Sequence, residues 1–254
     1  MGLGERRPTS LHDPKCGTTW MKALAFTITN HSRYEFGNNH PLFTHHPQEL
    51  ALPSPRLLAT YMPLSLFPHL SITSGRVVYV CREPKDAFVS WWHFANKIGG
   101  KEHSTTDGLE STLDMFIQGF SPYGPFWEHC LEYWRQSITS PDSNVFFLKY
   151  EDMMYEPVKH VIRLAAFLGV PFSTKEEEDG VPEEVVRLCS FEKLSGLRAN
   201  HTGGTIRSHS MMLDKSAFFR KGVVGDWANH MTEEMGRKID CVMEGKLRGS
   251  GLIL

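Results

Sequence analysis

The chain has 254 residues, 41% of them hydrophobic, with a formal net charge of -2 and five cysteines. That length and apolar content are enough for one full hydrophobic core, and the near-neutral balance excludes the broad basic surface that a nucleic-acid or membrane-surface partner needs, so any anion site has to be local. Cys16, Cys81, Cys130, Cys189 and Cys241 are odd in number and widely spaced, as expected for free thiols in a reducing compartment.

The opening MGLGERRPTSLHD lacks the apolar core of a signal peptide, and no apolar run reaches the roughly 18 residues of a membrane span, so a cytosolic protein is expected. Residues 1–13 are polar and include Pro8, which predicts a poorly structured segment followed by a single domain over residues 14–254. DPKCGTTWMK, Asp13 to Lys22, places Lys15, Gly17, Thr18 and Thr19 at the mouth of a helix whose apolar side carries Leu24 and Ile28. PRLLATYMP reads as a strand trimmed by prolines. RVVYVCR (Arg76 to Arg82) and NVFFLKY (Asn144 to Tyr150) are continuous apolar runs, as expected for strands covered on both faces. Each precedes a helical pattern: EPKDAFVSWWHFA, with Pro84 suited to a first turn, and EPVKHVIRLAAFLG, closed by Gly169 and Pro171. Further helices are predicted over Leu109 to Ile117, Phe126 to Ile138, Glu183 to Leu194 and Glu233 to Leu247, with the acidic KEEEDG (Lys175 to Gly180) as a loop. This alternation predicts an α/β fold with a central parallel sheet flanked by helices on both faces.

Parallel sheets put their ligands beyond the carboxyl ends of the strands. Arg82 ends one predicted strand with Ser90 about two helical turns on, Tyr150, Glu151 and Asp152 end another, and FFRKGVVGDW offers Arg220, Lys221 and Gly222 in a late loop. Each cluster alone is an ordinary solvated patch; together with Lys15 to Trp20 they make an anion site. The loop is not a Walker A motif, because its lysine precedes its glycine. Gly17 still allows close backbone approach, Thr18 and Thr19 supply hydroxyls and Lys15 adds charge to a helix N-terminus, which suits a phosphate without requiring a metal. A plain capped helix start would account for one threonine and leave the lysine, the glycine and the second threonine unexplained.

PKCGTTW resembles the PKSGTTW loop of cytosolic sulfotransferases, and VYVCREPKDAFVSWWHF, SPYGPFWEH, FLKYEDM, LCSFEKLS, FFRKGVVGDW and KLRGSGL follow in the order of the plant branch of that family. The resemblance, which runs from about Pro14 to the C-terminus, implies a P-loop-like sulfotransferase fold and 3′-phosphoadenosine 5′-phosphosulfate as co-substrate, with no metal. It also implies roles. Lys15 would neutralise the bridging oxygen as the sulfuryl group leaves, the groups from Cys16 to Thr19 would hold the 5′-phosphate, and Trp20 would flank the adenine. Arg82, Ser90, Arg220, Lys221 and Gly222 would hold the 3′-phosphate, and Tyr150 and Phe191 would contact the nucleoside.

Four departures from the family pattern matter. The family's ATHMP, which supplies the histidine that takes the acceptor's proton, reads ATYMP here, so Tyr61 stands at the base position. A tyrosine hydroxyl ordinarily ionises near pH 10 and donates at neutral pH, and general-base help is worth roughly 10²–10⁴-fold. His69 and His93 are nearby in sequence and are expected on a loop or helix surface. Cys16 replaces a serine and its thiol could be reactive beside Lys15. The family's apolar strand before the phosphate loop is replaced by polar ERRPTSLHD, leaving the first strand doubtful, and a segment between HHPQEL and ALPSPRLL is shorter than in relatives, as in a truncated or divergent copy.

Two principal functions follow. One is a sulfotransferase acting on a hydroxyl of a small apolar acceptor (flavonoid, steroid or hydroxylated signalling lipid), with Trp91, Trp92, Phe126 and Trp127 as either pocket wall or plain core. The other is a catalytically impaired relative that binds nucleotide or ligand. Phosphoryl transfer from a nucleoside triphosphate is a weaker third, lacking the Walker order and metal carboxylates. Neither acceptor identity nor oligomeric state follows from the sequence.

Overall fold

The computed structural model describes residues 7–12, 15–50, 58–66, 75–98, 106–121, 123–139, 143–201, 205–208 and 211–254. Four parallel strands, β1 (Arg7–His12), β2 (Leu58–Thr60), β3 (Gly75–Cys81) and β4 (Val145–Lys149), form a sheet in the order β2-β1-β3-β4. Ser10 of β1 lies opposite Ala59 on one side and Val78 on the other, and Val78 lies opposite Phe146.

β1 corrects the expectation of a missing first strand. Polar Arg7–His12 occupies the middle of the sheet and pairs with β3 over all six residues. Its ladder to β2 begins at Thr9, one residue past Pro8, so the proline's missing N–H falls outside that pairing. Backbone demand explains the placement: β2 and β3 each need a partner along this edge, and an extended chain supplies one whatever its side chains.

The helices in chain order are α1 (Thr18–Thr29), α2 (Pro84–Ile98), α3 (Thr106–Ile117), α4 (Phe126–Ile138), α5 (Tyr150–Tyr155), α6 (Pro157–Leu168), α7 (Thr174–Glu178), α8 (Val181–Leu188), α9 (Phe191–Gly196) and α10 (Glu233–Leu247). Period-two alternation on β3 and β4 divides the core. Val77, Tyr79, Cys81 and Val145 pack with α2, α3, α4 and α10 on one face, while Val78, Val80 and Leu148 pack with α1, α6 and α8 on the other.

Two predicted elements change. The single helix expected over Glu183 to Leu194 breaks into α8 and α9 because the Ser190 hydroxyl accepts from the Lys193 amide at 3.1 Å and starts a new helix. The KEEEDG loop is largely helical, since Ser173 and Glu176 form a reciprocal capping box at the start of α7. The sequence also gave no warning of the antiparallel hairpin of β5 (Thr205–Ser208) and β6 (Met211–Asp214).

The neighbours of β1 are the next two strands in the chain, one on each side. This reversal of strand order opens a crevice at the carboxyl edge between β1 and β3, where ligands of parallel sheets bind. The loop entering α1 and the residue Arg82 both emerge there.

Leu164, fully buried on α6 in the second core, tests the packing behind that crevice. Leu164→Ala is expected to cost about 2–5 kcal/mol and lower the melting temperature by roughly 5–15 °C. A shift below 2 °C by calorimetry would contradict this packing.

Candidate active site

A cavity of about 630 Å³ opens at the switch point, and all the predicted site residues except Cys16 line it. Of the four candidate pocket aromatics, Trp91 lines it, whereas Phe126 and Trp127 are buried in the first core and Trp92 packs against that core.

The phosphate loop enters α1 through Gly17 at φ +101°, with no side-chain cap and no acidic residue in the first turn. The first bond of the helix runs from the Met21 amide to the Gly17 carbonyl at 2.8 Å, so the helix N-terminus, where an anion is favoured, faces this loop. A Cβ on Gly17 would meet Tyr150 Cδ2 at 3.0 Å, so glycine is required by both conformation and space. Lys15 adopts φ +72°, and its Nζ lies 4.2 Å from the Phe94 ring centroid. Burial, then the positive charges of Arg220, Arg82 and Lys97, push its pKa down to about 8. Cys16 is buried in the first core beneath the loop. Its backbone can serve the loop, but its thiol is not exposed for the reactivity expected from the sequence.

Two buried carboxylates organise the remaining cations, and sequence reasoning missed both. Asp86 is completely buried and accepts from the Gly225 amide at 2.7 Å, the Trp227 amide at 2.9 Å and Arg82 Nη2 at 3.3 Å. Arg82 Nη2 also donates to the Val223 carbonyl at 2.6 Å, and the guanidinium lies 4.5 Å from the Tyr150 ring centroid. Asp226 accepts from Arg220, from Lys221 at 2.8 Å, from Asn229 at 3.0 Å and from His230 at 3.2 Å. Burial alone would raise its pKa, but the bonds from Lys221, Asn229 and Arg220 outweigh that and hold it well below the usual carboxylate range. The Nε atoms of Arg82 and Arg220 are both buried with no hydrogen-bond partner among the described residues. Each of these two guanidinium donors can give a hydrogen bond to an anion. The arrangement therefore fits a ligand carrying more than one phosphate-like charge.

Local spacing carries a trace of both carboxylates. Asp86 follows Arg82 by one helical turn, and Asp226 ends the same short loop that supplies Arg220 and Lys221. Gly222, at φ +67°, lies against Phe191, where a Cβ would fall 2.3 Å from Cδ2, so this loop and α9 fit together through one missing methyl.

The other wall is aromatic. Tyr61 and Tyr123 pack with ring centroids 5.2 Å apart, and Trp91 and Phe94 join them in the lining. Behind Tyr61, His129 Nε2 donates to its carbonyl at 3.1 Å, which leaves Nδ1 to accept from the Tyr79 hydroxyl at 3.0 Å. Burial lowers the pKa of His129, so a neutral imidazole anchors the backbone of Tyr61 from outside the cavity. His93, expected on a surface, is half-buried against His230 with ring nitrogens 3.3 Å apart, and burial followed by Arg220 and His230 lowers its pKa to about 4. His69 lies outside the described residues. Among the described residues, no histidine lines the cavity and no group of three or more His, Cys, Asp or Glu is placed to hold a metal.

The sulfotransferase domain model matches residues 13–251. The chain is 42% identical to cytosolic sulfotransferase 1 of Arabidopsis thaliana over 94% of its own length and 78% of the relative's. It is 41% identical to cytosolic sulfotransferase 16 of the same plant over 98% and 79%. Among solved structures, it is similar to retinol dehydratase in complex with androsterone and the inactive cofactor PAP, with TM-score 0.78 and 21% identity over all of this chain and 84% of the other, a likeness of fold. With a domain match over nearly its whole length and this level of identity to plant relatives, the chain belongs to the sulfotransferase family.

Proposed function

We propose that this chain transfers a sulfuryl group from 3′-phosphoadenosine 5′-phosphosulfate to the hydroxyl of a small apolar acceptor in the cytosol. One observation carries this reading: Lys15, Arg82, Arg220 and Lys221 line one cavity at a helix N-terminus, facing aromatic side chains. The androsterone and PAP held by the retinol dehydratase structure support the same pairing of nucleotide and apolar hydroxyl compound.

The donor supplies an activated sulfuryl group on a phosphate leaving group. Lys15 and the amides of residues 16–19 neutralise the charge that develops on that phosphate. Arg82, Ser90, Arg220, Lys221 and the Gly222 backbone hold the 3′-phosphate, with Arg82 Nε and Arg220 Nε as the donors awaiting acceptors. Trp20, Tyr150 and Phe191 enclose the nucleoside. None of these roles calls for a metal.

Proton removal from the acceptor is where this chain departs from its family. Tyr61 is placed to donate a hydrogen bond, and no histidine stands in the described lining to take the proton. The acceptor must therefore lose its proton readily, which favours acidic phenols over alcohols. The same observation favours a second reading, a relative that keeps nucleotide binding and has lost turnover.

Titration calorimetry with 3′-phosphoadenosine 5′-phosphate in magnesium-free buffer tests the donor site. Lys15→Ala and Arg220→Ala should each weaken binding by roughly tenfold to hundredfold; unchanged affinity in both would refute the assignment. Binding should also take up protons. The pKa of Lys15 is about 8 in the free protein, and a bound phosphate raises it. Affinity should accordingly be highest near pH 7, where the ligand's phosphates are largely ionised and Lys15 is charged, and fall as pH rises through 8 toward 10. At pH 8 about half a proton is taken up, read from the dependence of binding enthalpy on buffer ionisation, and Lys15→Met should abolish it.

Tyr61→His should raise kcat on an alcohol acceptor by at least about tenfold and on an acidic phenol by much less. Equal gains on both acceptors, or none on either, would rule out a missing base as the limit on turnover.

A further inference from the structure

We propose that Gln48 is a positioning residue that fixes the Thr19 hydroxyl as a hydrogen-bond donor to the phosphate nearest α1, a role that rests on the donor-site reading above. Gln48 lies in a loop beyond α1, 29 residues from Thr19, and both side chains line the cavity. Its amide is held at both ends. Lys22 Nζ, which as an ammonium has only donors, bonds Gln48 Oε1, so the amide nitrogen must face the other way. That Nε2 donates to Thr19 Oγ1 at 3.1 Å. A hydroxyl that accepts from an amide has its own proton left to give, and Thr19 makes no other side-chain hydrogen bond among the described residues. The chain Lys22 to Gln48 to Thr19 thus passes donor direction from a charge outside the lining to a hydroxyl within it. Gln48 itself is neutral and adds no net pull on an anion.

The loop holding Gln48 is braced. The Gln48 backbone N–H donates to His46 Nδ1 at 3.1 Å, the His46 backbone N–H donates to Glu49 Oε2 at 3.0 Å, and Lys215 holds the same carboxylate oxygen at 2.8 Å. His46 is fully buried, with its ring centroid 5.1 Å from that of Phe218 and 5.6 Å from that of Phe219. Phe218 and Phe219 also line the cavity, just before Arg220. A glutamine pinned this firmly, with each amide end committed to a different partner, cannot rotate to accept the Thr19 proton.

A double-mutant cycle on the full chain, read by calorimetry with 3′-phosphoadenosine 5′-phosphate, tests the role. Gln48→Leu and Thr19→Val should each weaken binding by about fivefold to tenfold, and the double variant should bind no more weakly than Thr19→Val alone, because an unoriented hydroxyl and an absent one lose the same bond. Melting temperatures should stay within a few degrees of the wild type. Unchanged affinity in Gln48→Leu, or penalties that multiply in the double variant, would overturn the role. Should Gln48→Leu fail to fold, Gln48→Glu keeps the shape and the Lys22 partner but turns the donor into an acceptor that captures the Thr19 proton. Its loss of affinity should then shrink markedly when combined with Thr19→Val; an undiminished loss would be charge repulsion alone and would reject the relay. A wild-type chain that does not bind the nucleotide overturns the donor site and this role together, whereas wild-type binding with independent penalties overturns the role alone.

Discussion

Asp86 and Asp226 carry the electrostatics of the cavity, each from a buried position behind the cations it serves. Two like charges 4 Å apart repel by about 4 kcal/mol at the effective dielectric of a protein's surface region. Arg82, Arg220 and Lys221 could not share one cavity edge at low cost without these two carboxylates, and Asp86 also accepts from the backbone amides of Gly225 and Trp227 and so fixes the loop itself. Lys15 has no carboxylate partner among the described residues, and burial with its cationic neighbours pushes its pKa down to about 8. With Glu192 in the lining, three carboxylates stand against four cations and leave the cavity positive, and two guanidinium nitrogens have no acceptor among the described residues. The cavity is thereby locally positive, although the chain as a whole is slightly acidic.

Topology brings these groups together. β1 between β2 and β3 places the α1 entrance beside the end of β3, and the late loop with Arg220 closes over both through Asp86. The strands β3 and β4 and the longer helices were readable from the sequence because their apolar periods are strong, and the cation clusters were readable because they fall at element ends. β1 was not, since a polar strand carries no hydropathy signal and its place is set by backbone groups on its neighbours. α7 is marked in the sequence by the capping box of Ser173 and Glu176, a signal obscured by the acidic run that follows it. Asp86 could have been found from its spacing to Arg82. Gln48 could not: nothing local marks a glutamine in a loop as the partner of a threonine on a helix 29 residues earlier.

The region around Tyr61 is fixed through its main chain. Its backbone is held by His129, whose tautomer is set in turn by Tyr79, and the carbonyl of the adjacent Met62 accepts from Tyr133 at 2.8 Å. These bonds reach main-chain atoms and are indifferent to the side chain at position 61. The aromatic contact with Tyr123 adds a reason for tyrosine that is independent of acid–base chemistry. The shape of this wall is therefore set without any proton transfer by the side chain at this position.

Lys15 holds its backbone in the left-handed region that non-glycine residues avoid, at a cost of roughly 1–2 kcal/mol. Its side chain is desolvated as well. Glycine there would relieve both penalties and remove the charge at the phosphate loop. A strained backbone and a desolvated ammonium thus fall on one and the same residue, so the local stability of this loop and the charge it presents cannot be improved independently.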